Sequence, residues 1–275
     1  MPDQFAFFAT TEDGYVPLPF ATSRWSEDMV HGAALCGLLA RAVENGHGAE
    51  GFTPARLTVD LFRPALTRPF TTTTASVREG RRIRVADAEL WQDGEVVARA
   101  SAVFLRRSEQ PPGEVWTREH RPSPPDAGPV DELRPPWFGS DDHPEGWSSS
   151  MLEHQGASRK RMWSQNIPVV EGEELSPFVR AAMAAEPTSL MTNWGTAGVG
   201  FINVDLTMVL SRLPDGPEVG LEADDHHSAD GIAAGTATLF DRGGPIGTCV
   251  VSALANAQRQ VDFSGQGEFE LPIDV

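Results

Sequence analysis

Four groups of residues in this 275-residue sequence have the types and spacing to do chemistry. Asp205 stands in the run Ile202-Asn203-Val204-Asp205-Leu206, whose apolar neighbours would strip water from a carboxylate and raise its pKa toward that of a useful base. His31-Gly32 opens a helical pattern. First-turn amides of a helix lack intrahelical acceptors, the dipole favours negative charge there, and glycine lets a ligand come close. His31 itself is either a general base or a polar cap for that helix. Ser228 sits in Ser-Ala-Asp-Gly, a turn-forming sequence that presents a hydroxyl. Arg78, Arg81, Arg82 and Arg84 form a compact basic cluster. Guanidinium groups bind phosphate in bidentate fashion, although the spacing also fits an exposed strand face.

Two similar halves must position these groups. Leu35, Leu38, Leu39, Ala42 and Val43 give one apolar helix face, with Asn45-Gly46 as the stop. Ser176 is a suitable N-cap and Pro177 a suitable first residue for a second helix. Phe178, Ala181, Ala182 and Ala185 line its apolar face, and Pro187 ends or kinks it. After each helix comes a strand-rich region, Leu57–Leu61 in one half and Ile202–Leu206 in the other. Leu90–Ala98 and Leu239–Gly247 both read as a hairpin around a glycine turn, and this signal recurs after 149 residues. The spacing predicts an α+β chain in which each half is one helix wrapped by about five antiparallel strands, the two sheets joining edge to edge. The strands at 57–61 and 202–206 make Asp60 the expected symmetry mate of Asp205. Residues 108–150 hold nine of the 22 prolines, so we divide the chain into 1–107, an extended connection at 108–150, and 151–275. Trp116, Trp137, Phe138 and Trp147 are expected to pin that connection to the surface.

Composition narrows the function. Acidic residues outnumber basic ones 39 to 22, a formal charge of −17, which argues against a nucleic-acid partner. Gly195–Gly200 lacks the dinucleotide fingerprint, and the sequence has no phosphate-binding lysine loop, Gly-x-Ser-x-Gly elbow or Cys-x-x-Cys pair. Asp224-Asp225-His226-His227 matches no usual ligand spacing and reads as a solvated loop, so no metal is expected. Cys36 and Cys249 lie in apolar runs and read as reduced core thiols. The start Met-Pro-Asp-Gln-Phe lacks the features of a signal peptide and no stretch is apolar enough to span a membrane, so a cytoplasmic protein without a membrane partner is expected.

The order of these motifs resembles the double-hotdog acyl-CoA thioesterases, most of all the bacterial thioesterase II branch. Val30-His31-Gly32-Ala33-Ala34-Leu35 is similar to the His-Gly-Gly start of that family's buried helix, with Ala33 at the second glycine. Phe201–Thr207 resembles the strand carrying the catalytic Asp, Ser228 fits its hydroxyl partner, and Phe62-Arg63-Pro64 matches the end of the equivalent first-half strand. The resemblance implies two fused hotdogs and hydrolysis of acyl-CoA in fatty-acid metabolism, without a cofactor. It implies catalysis by Asp205 and Ser228. Backbone amides at His31, Gly32 and Ala33 would hold the oxyanion, and the acyl chain would lie along Leu35, Leu38 and Met29. It also implies further pairing of copies. One departure stands out: the family's water-holding Gln falls on Val251. That motivates one rival, a non-hydrolytic acyl-thioester or lipid binder, and His31 read as a general base motivates another, a hotdog enoyl-CoA hydratase.

Overall fold

The computed structural model describes residues 5–23, 26–126, 128, 133–144, 146–256 and 260–263. Two short pairs come first, β1 (Phe8–Thr11) with β2 (Gly14–Pro17) and β3 (Thr22–Ser23) with β4 (Ser26–Val30). The first half continues with α1 (Gly32–His47), β5 (Phe52–Leu61), β6 (Thr71–Glu79), β7 (Ile83–Gln92) and β8 (Glu95–Arg106). After the Pro-rich stretch come β9 (Trp137–Ser140), β10 (Trp147–Ser148), β11 (Lys160–Gln165), α2 (Pro177–Ala185) and α3 (Thr188–Asn193). A short pair, β12 (Trp194–Gly195) and β13 (Gly198–Val199), leads into β14 (Phe201–Asn203), β15 (Asp205–Leu210), β16 (Glu218–Ala229), β17 (Ile232–Asp241) and β18 (Gly244–Ala255).

One antiparallel sheet of 12 strands runs through both halves in the order β10-β9-β11-β16-β17-β18-β15-β5-β8-β7-β6, with β14 also on β18. The halves therefore join edge to edge at β15–β5, which removes two open edges. At the seam Thr58 pairs with Thr207, their hydroxyl oxygens 3.1 Å apart. Register then repeats outward. Thr58 opposes Ser101 as Thr207 opposes Val250, Ala88 opposes Ala100 as Ala237 opposes Cys249, and Thr74 opposes Ala88 as Ala223 opposes Ala237. Each of these pairs returns 149 residues on, so a local two-fold axis passes between the two threonines. This corrects the assignment of Asp60 as mate of Asp205. Asp60 is its cross-seam neighbour, and the 149-residue offset makes Arg56 the true mate. The sequence likeness of 57–61 to 202–206 is out of step because the strand path breaks at Val204, between β14 and β15.

Both helices lie on one face of the sheet and run antiparallel: Gly32 meets Glu186, Gly37 meets Met183, and Glu44 accepts a hydrogen bond from Ser176. Gly37 sets the closeness of that crossing, because a Cβ there would stand 2.7 Å from Val169 Cγ2 and 2.9 Å from Met183 Cγ. α2 begins and ends where its capping residues require. Ser176 accepts from the Val179 amide, Pro177 opens the first turn, and Pro187 stops it. Of the residues expected to pin the Pro-rich stretch, Phe138 is buried edge-on to Trp194 and Trp147 packs under the Arg161 guanidinium. Trp116 stays 85 % exposed and pins nothing, because its segment adds no strand to the sheet. β9 and β10 lie inside that stretch and extend the second-half sheet. Both cysteines are buried, and burial pushes the Cys249 thiol up to about 12. Among the described residues no helix is long and apolar enough to cross a membrane.

The tight crossing yields a prediction. Gly37→Leu overpacks the helix pair and lowers stability by about 1–3 kcal/mol, read from urea unfolding of the two proteins side by side.

Candidate functional site

A cavity of about 390 Å³ opens at the amino end of α1. Its apolar wall includes Phe7, Phe20, Phe138, Met162 and Leu190, and its polar side includes His31, Gly32, Glu186, Asn203 and Gln165.

His31 caps α1. Its Nδ1 accepts from the Ala34 amide at 3.2 Å, and its Nε2 stands 3.2 Å from the Phe20 carbonyl. These two bonds require the neutral tautomer with the proton on Nε2. Burial pushes the imidazole down to about 4, only partly offset by the bond to Phe20. With both nitrogens engaged, the ring is a cap and has no lone pair free to act as the base of a hydratase. The His31 amide donates to the Ala21 carbonyl and the Ala34 amide to the imidazole, which leaves Gly32 and Ala33 as the first-turn donors without an intrahelical acceptor. Both residues line the cavity.

Glu186 is the candidate group that sequence reasoning missed. It is the C-cap of α2, fixed there by Pro187, and the antiparallel crossing carries its carboxyl to the start of α1. A Cβ on Gly32 would lie 2.1 Å from Glu186 Oε1, so only glycine admits the carboxyl. Burial raises its pKa to about 7, with the Asn203 side chain pulling the other way. The arrangement joins a carboxyl that titrates near neutrality to two amide donors without a partner among the described residues, at one cavity. The other crossing end lacks this chemistry. There Glu44 faces the start of α2, where Pro177 has no N–H and Ser176 caps Val179.

The structure does not bring the remaining expected residues to the cavity. Leu206, Met208 and Leu210 face the core, so alternation turns Asp205 to the opposite face of the sheet. There Asp205 accepts from the Ser252 amide at 2.6 Å and lies beside Asp60, which pairs with Arg99 at 2.7 Å. Ser228 is exposed near the end of β16, its hydroxyl 3.0 Å from His226 Nε2, and three strand spacings separate it from Asn203. The turn itself is Asp230-Gly231, both at positive φ. Leu35 and Leu38 are closed into the core, away from the cavity wall. Arg78, Arg81, Arg82 and Arg84 sit on the β6–β7 hairpin and none lines the cavity. Arg84 stacks on Phe52, just past the carboxyl end of α1, and 16 helical residues put that end about 24 Å from Gly32. Val251 is buried in the core, 1 % exposed.

Comparison with known proteins agrees with this architecture. Residues 21–105 match the family model of the acyl-CoA thioesterase N-terminal domain, and residues 111–254 match that of the C-terminal domain. Among solved structures, a tesB protein of Mycobacterium avium subspecies paratuberculosis is 16 % identical over 88 % of this chain and 92 % of its own, with a TM-score of 0.60. A hot dog fold protein of Alicyclobacillus acidocaldarius is 18 % identical over 84 % of this chain and 89 % of its own, TM-score 0.61. The acyl-CoA thioesterase II TesB2 of Mycobacterium marinum is 15 % identical over 82 % and 88 %, TM-score 0.59. These likenesses show the double-hotdog fold. No curated protein matches the chain.

The raised Glu186 carboxyl has a consequence for stability. Between the ordinary carboxylate range and about 7, the folded state holds a proton that the unfolded chain has lost, so this group's contribution falls as pH rises through that window. Glu186→Gln therefore gains stability over the wild type as pH rises from about 5 to about 8, by at most about 1.4 kcal/mol per pH unit. Urea unfolding of both proteins across that range checks it, and the His31 contribution cancels in the difference.

Proposed function

The chain belongs to the acyl-CoA thioesterase family through both of its halves, and we propose that it hydrolyses an acyl-CoA thioester at the amino end of α1. The observation that carries the reading is the Glu186 carboxyl against Gly32, beside the free Gly32 and Ala33 amides in one cavity. Glu186 takes the role first expected of Asp205.

In the proposed reaction the thioester carbonyl oxygen points at the Gly32 and Ala33 amides. Glu186, ionised, takes a proton from water as the water oxygen bonds to the carbonyl carbon. The resulting oxyanion is held by the two amide hydrogens and the positive end of the helix dipole, in a site where low dielectric strengthens both. The tetrahedral intermediate then collapses, the C–S bond breaks, and the Glu186 proton passes to the departing thiolate. The products are the free acid and CoA. Phe7, Phe20, Phe138 and Leu190 give the acyl chain an apolar wall. His31 contributes by positioning: its imidazole satisfies the Ala34 amide, so the two amides before it stay oriented at the cavity.

A second reading, acyl-thioester binding without turnover, is favoured by Val251, which puts an aliphatic side chain where the resemblance expects the water-holding amide. Release of free thiol from a panel of acyl-CoAs separates the two. The expected outcome is turnover whose kcat/KM rises with pH around an apparent pKa near 7. Glu186→Gln lowers kcat/KM by about 10²–10⁴-fold, and Gly32→Ala lowers it by displacing that carboxyl. Asp205→Asn leaves it near the wild-type value. A rate insensitive to Glu186 but lost in Asp205→Asn would return the role to the strand carboxylate.

A further inference from the structure

At the edge of the second-half sheet, away from the cavity chemistry, three side chains meet that no part of the proposed reaction uses. His143 lies in the turn between β9 and β10, and Glu153 and His154 lie in the 3₁₀ turn Leu152–His154. One donor atom from each lies within 4.8 Å of the other two. His143 Nε2 is 3.5 Å from Glu153 Oε2, and the two imidazoles lie tilted at 50° with ring centres 4.6 Å apart. His143 Nδ1 is buried without a hydrogen-bond partner among the described residues.

We propose that His143, Glu153 and His154 bind one divalent transition-metal ion of the zinc class. Two imidazoles and a carboxylate are a donor set that suits this class, with donor-to-metal distances of about 2.0–2.2 Å. A tetrahedral site then places its donors roughly 3.3 Å apart. The His143–Glu153 separation already meets that edge, and half-exposed Glu153 is the side chain with room to close the rest. His154 is held as a metal-binding imidazole needs to be. It is buried, and its Nδ1 stands 3.0 Å from the hydroxyl of fully buried Ser140, which fixes the ring. Its Nε2 stands 3.0 Å from the Ser148 hydroxyl, a partner that can rotate aside, since Ser148 also reaches the Ser150 carbonyl. The nearest cations are committed elsewhere, Lys160 to the Gly156 and Ser158 carbonyls and Arg161 to Asp141. The metal would clamp the β9–β10 turn to the 3₁₀ turn. Phe138 of β9 and Met151, just before the 3₁₀ turn, both line the cavity.

The test uses the full chain without a histidine tag, stripped by chelator and titrated with Zn²⁺ in a calorimeter, and with Co²⁺ followed by visible absorption. The expected result is one equivalent bound, with cobalt bands of a low-coordinate site and a higher melting temperature. His143→Gln and Glu153→Gln, both at positions with some solvent access, each weaken binding at least about tenfold and lose the cobalt bands. Absence of saturable Zn²⁺ binding, or wild-type affinity in either variant, overturns the proposal. None of these readouts depends on thioester hydrolysis, so failure of that reading would leave this one standing.

Discussion

A carboxyl group held out of water against the backbone of a neighbouring helix is the constraint on which the rest of this structure turns. Desolvating Glu186 is unfavourable, and its pKa near 7 is the measure of that cost. The fold meets it by geometry. Two antiparallel helices cross closely because Gly37 faces Met183 and Val169, and Gly32 leaves room for Oε1 at the far end of the same crossing. The sheet beneath those helices is continuous through the seam at Thr58 and Thr207.

The same crossing shows why only one of the two helix starts offers open amides beside a buried carboxyl. Each helix presents its amino end to a glutamate near the other's carboxyl end, Glu186 at α1 and Glu44 at α2. At α2 the first helical residue is proline, which has no amide hydrogen to give, and Ser176 spends its hydroxyl on the cap and on Glu44. Proline at that position is good for the helix and useless for an oxyanion. Glycine at the corresponding position of α1 is the reverse, a poor helix former that leaves the backbone open. One half has been settled toward stability and the other kept for access.

Much of the scaffold was legible in the residues. The i, i+3, i+4 run from Leu35 to Val43 and the Ser176-Pro177 start encode both helices locally, and the glycine turns encode both hairpins. The site was less legible. Asp205 drew attention because its neighbours are apolar, yet the period-two pattern of Leu206, Met208 and Leu210 already assigns it to the outer face. Glu186 carries no local signal at all. In sequence it is the last residue before a helix-stopping proline, and its meaning arises only when α2 is laid antiparallel on α1. Groups that meet through tertiary packing, such as Glu186 with Gly32 or His143 with His154, have no spacing to read.

The cavity wall points to how such a fold acquires specificity. The duplicated elements supply the floor: the start of α1, the end of α2 and Asn203 at the end of β14. The walls come from Phe7 and Phe20 before α1, from residues 133–167 after the prolines and from Leu190 of α3. Phe138 and Met162 reach the cavity because β11 extends the second-half sheet past β16 and β9, within the proline-rich stretch, pairs onto β11. The register repeat reaches this edge too, Ser164 opposing Val219 as Tyr15 opposes Phe70. On the proposed reading the helix crossing sets what is done to the bound group, and these wall residues set which acyl chain fits beside it.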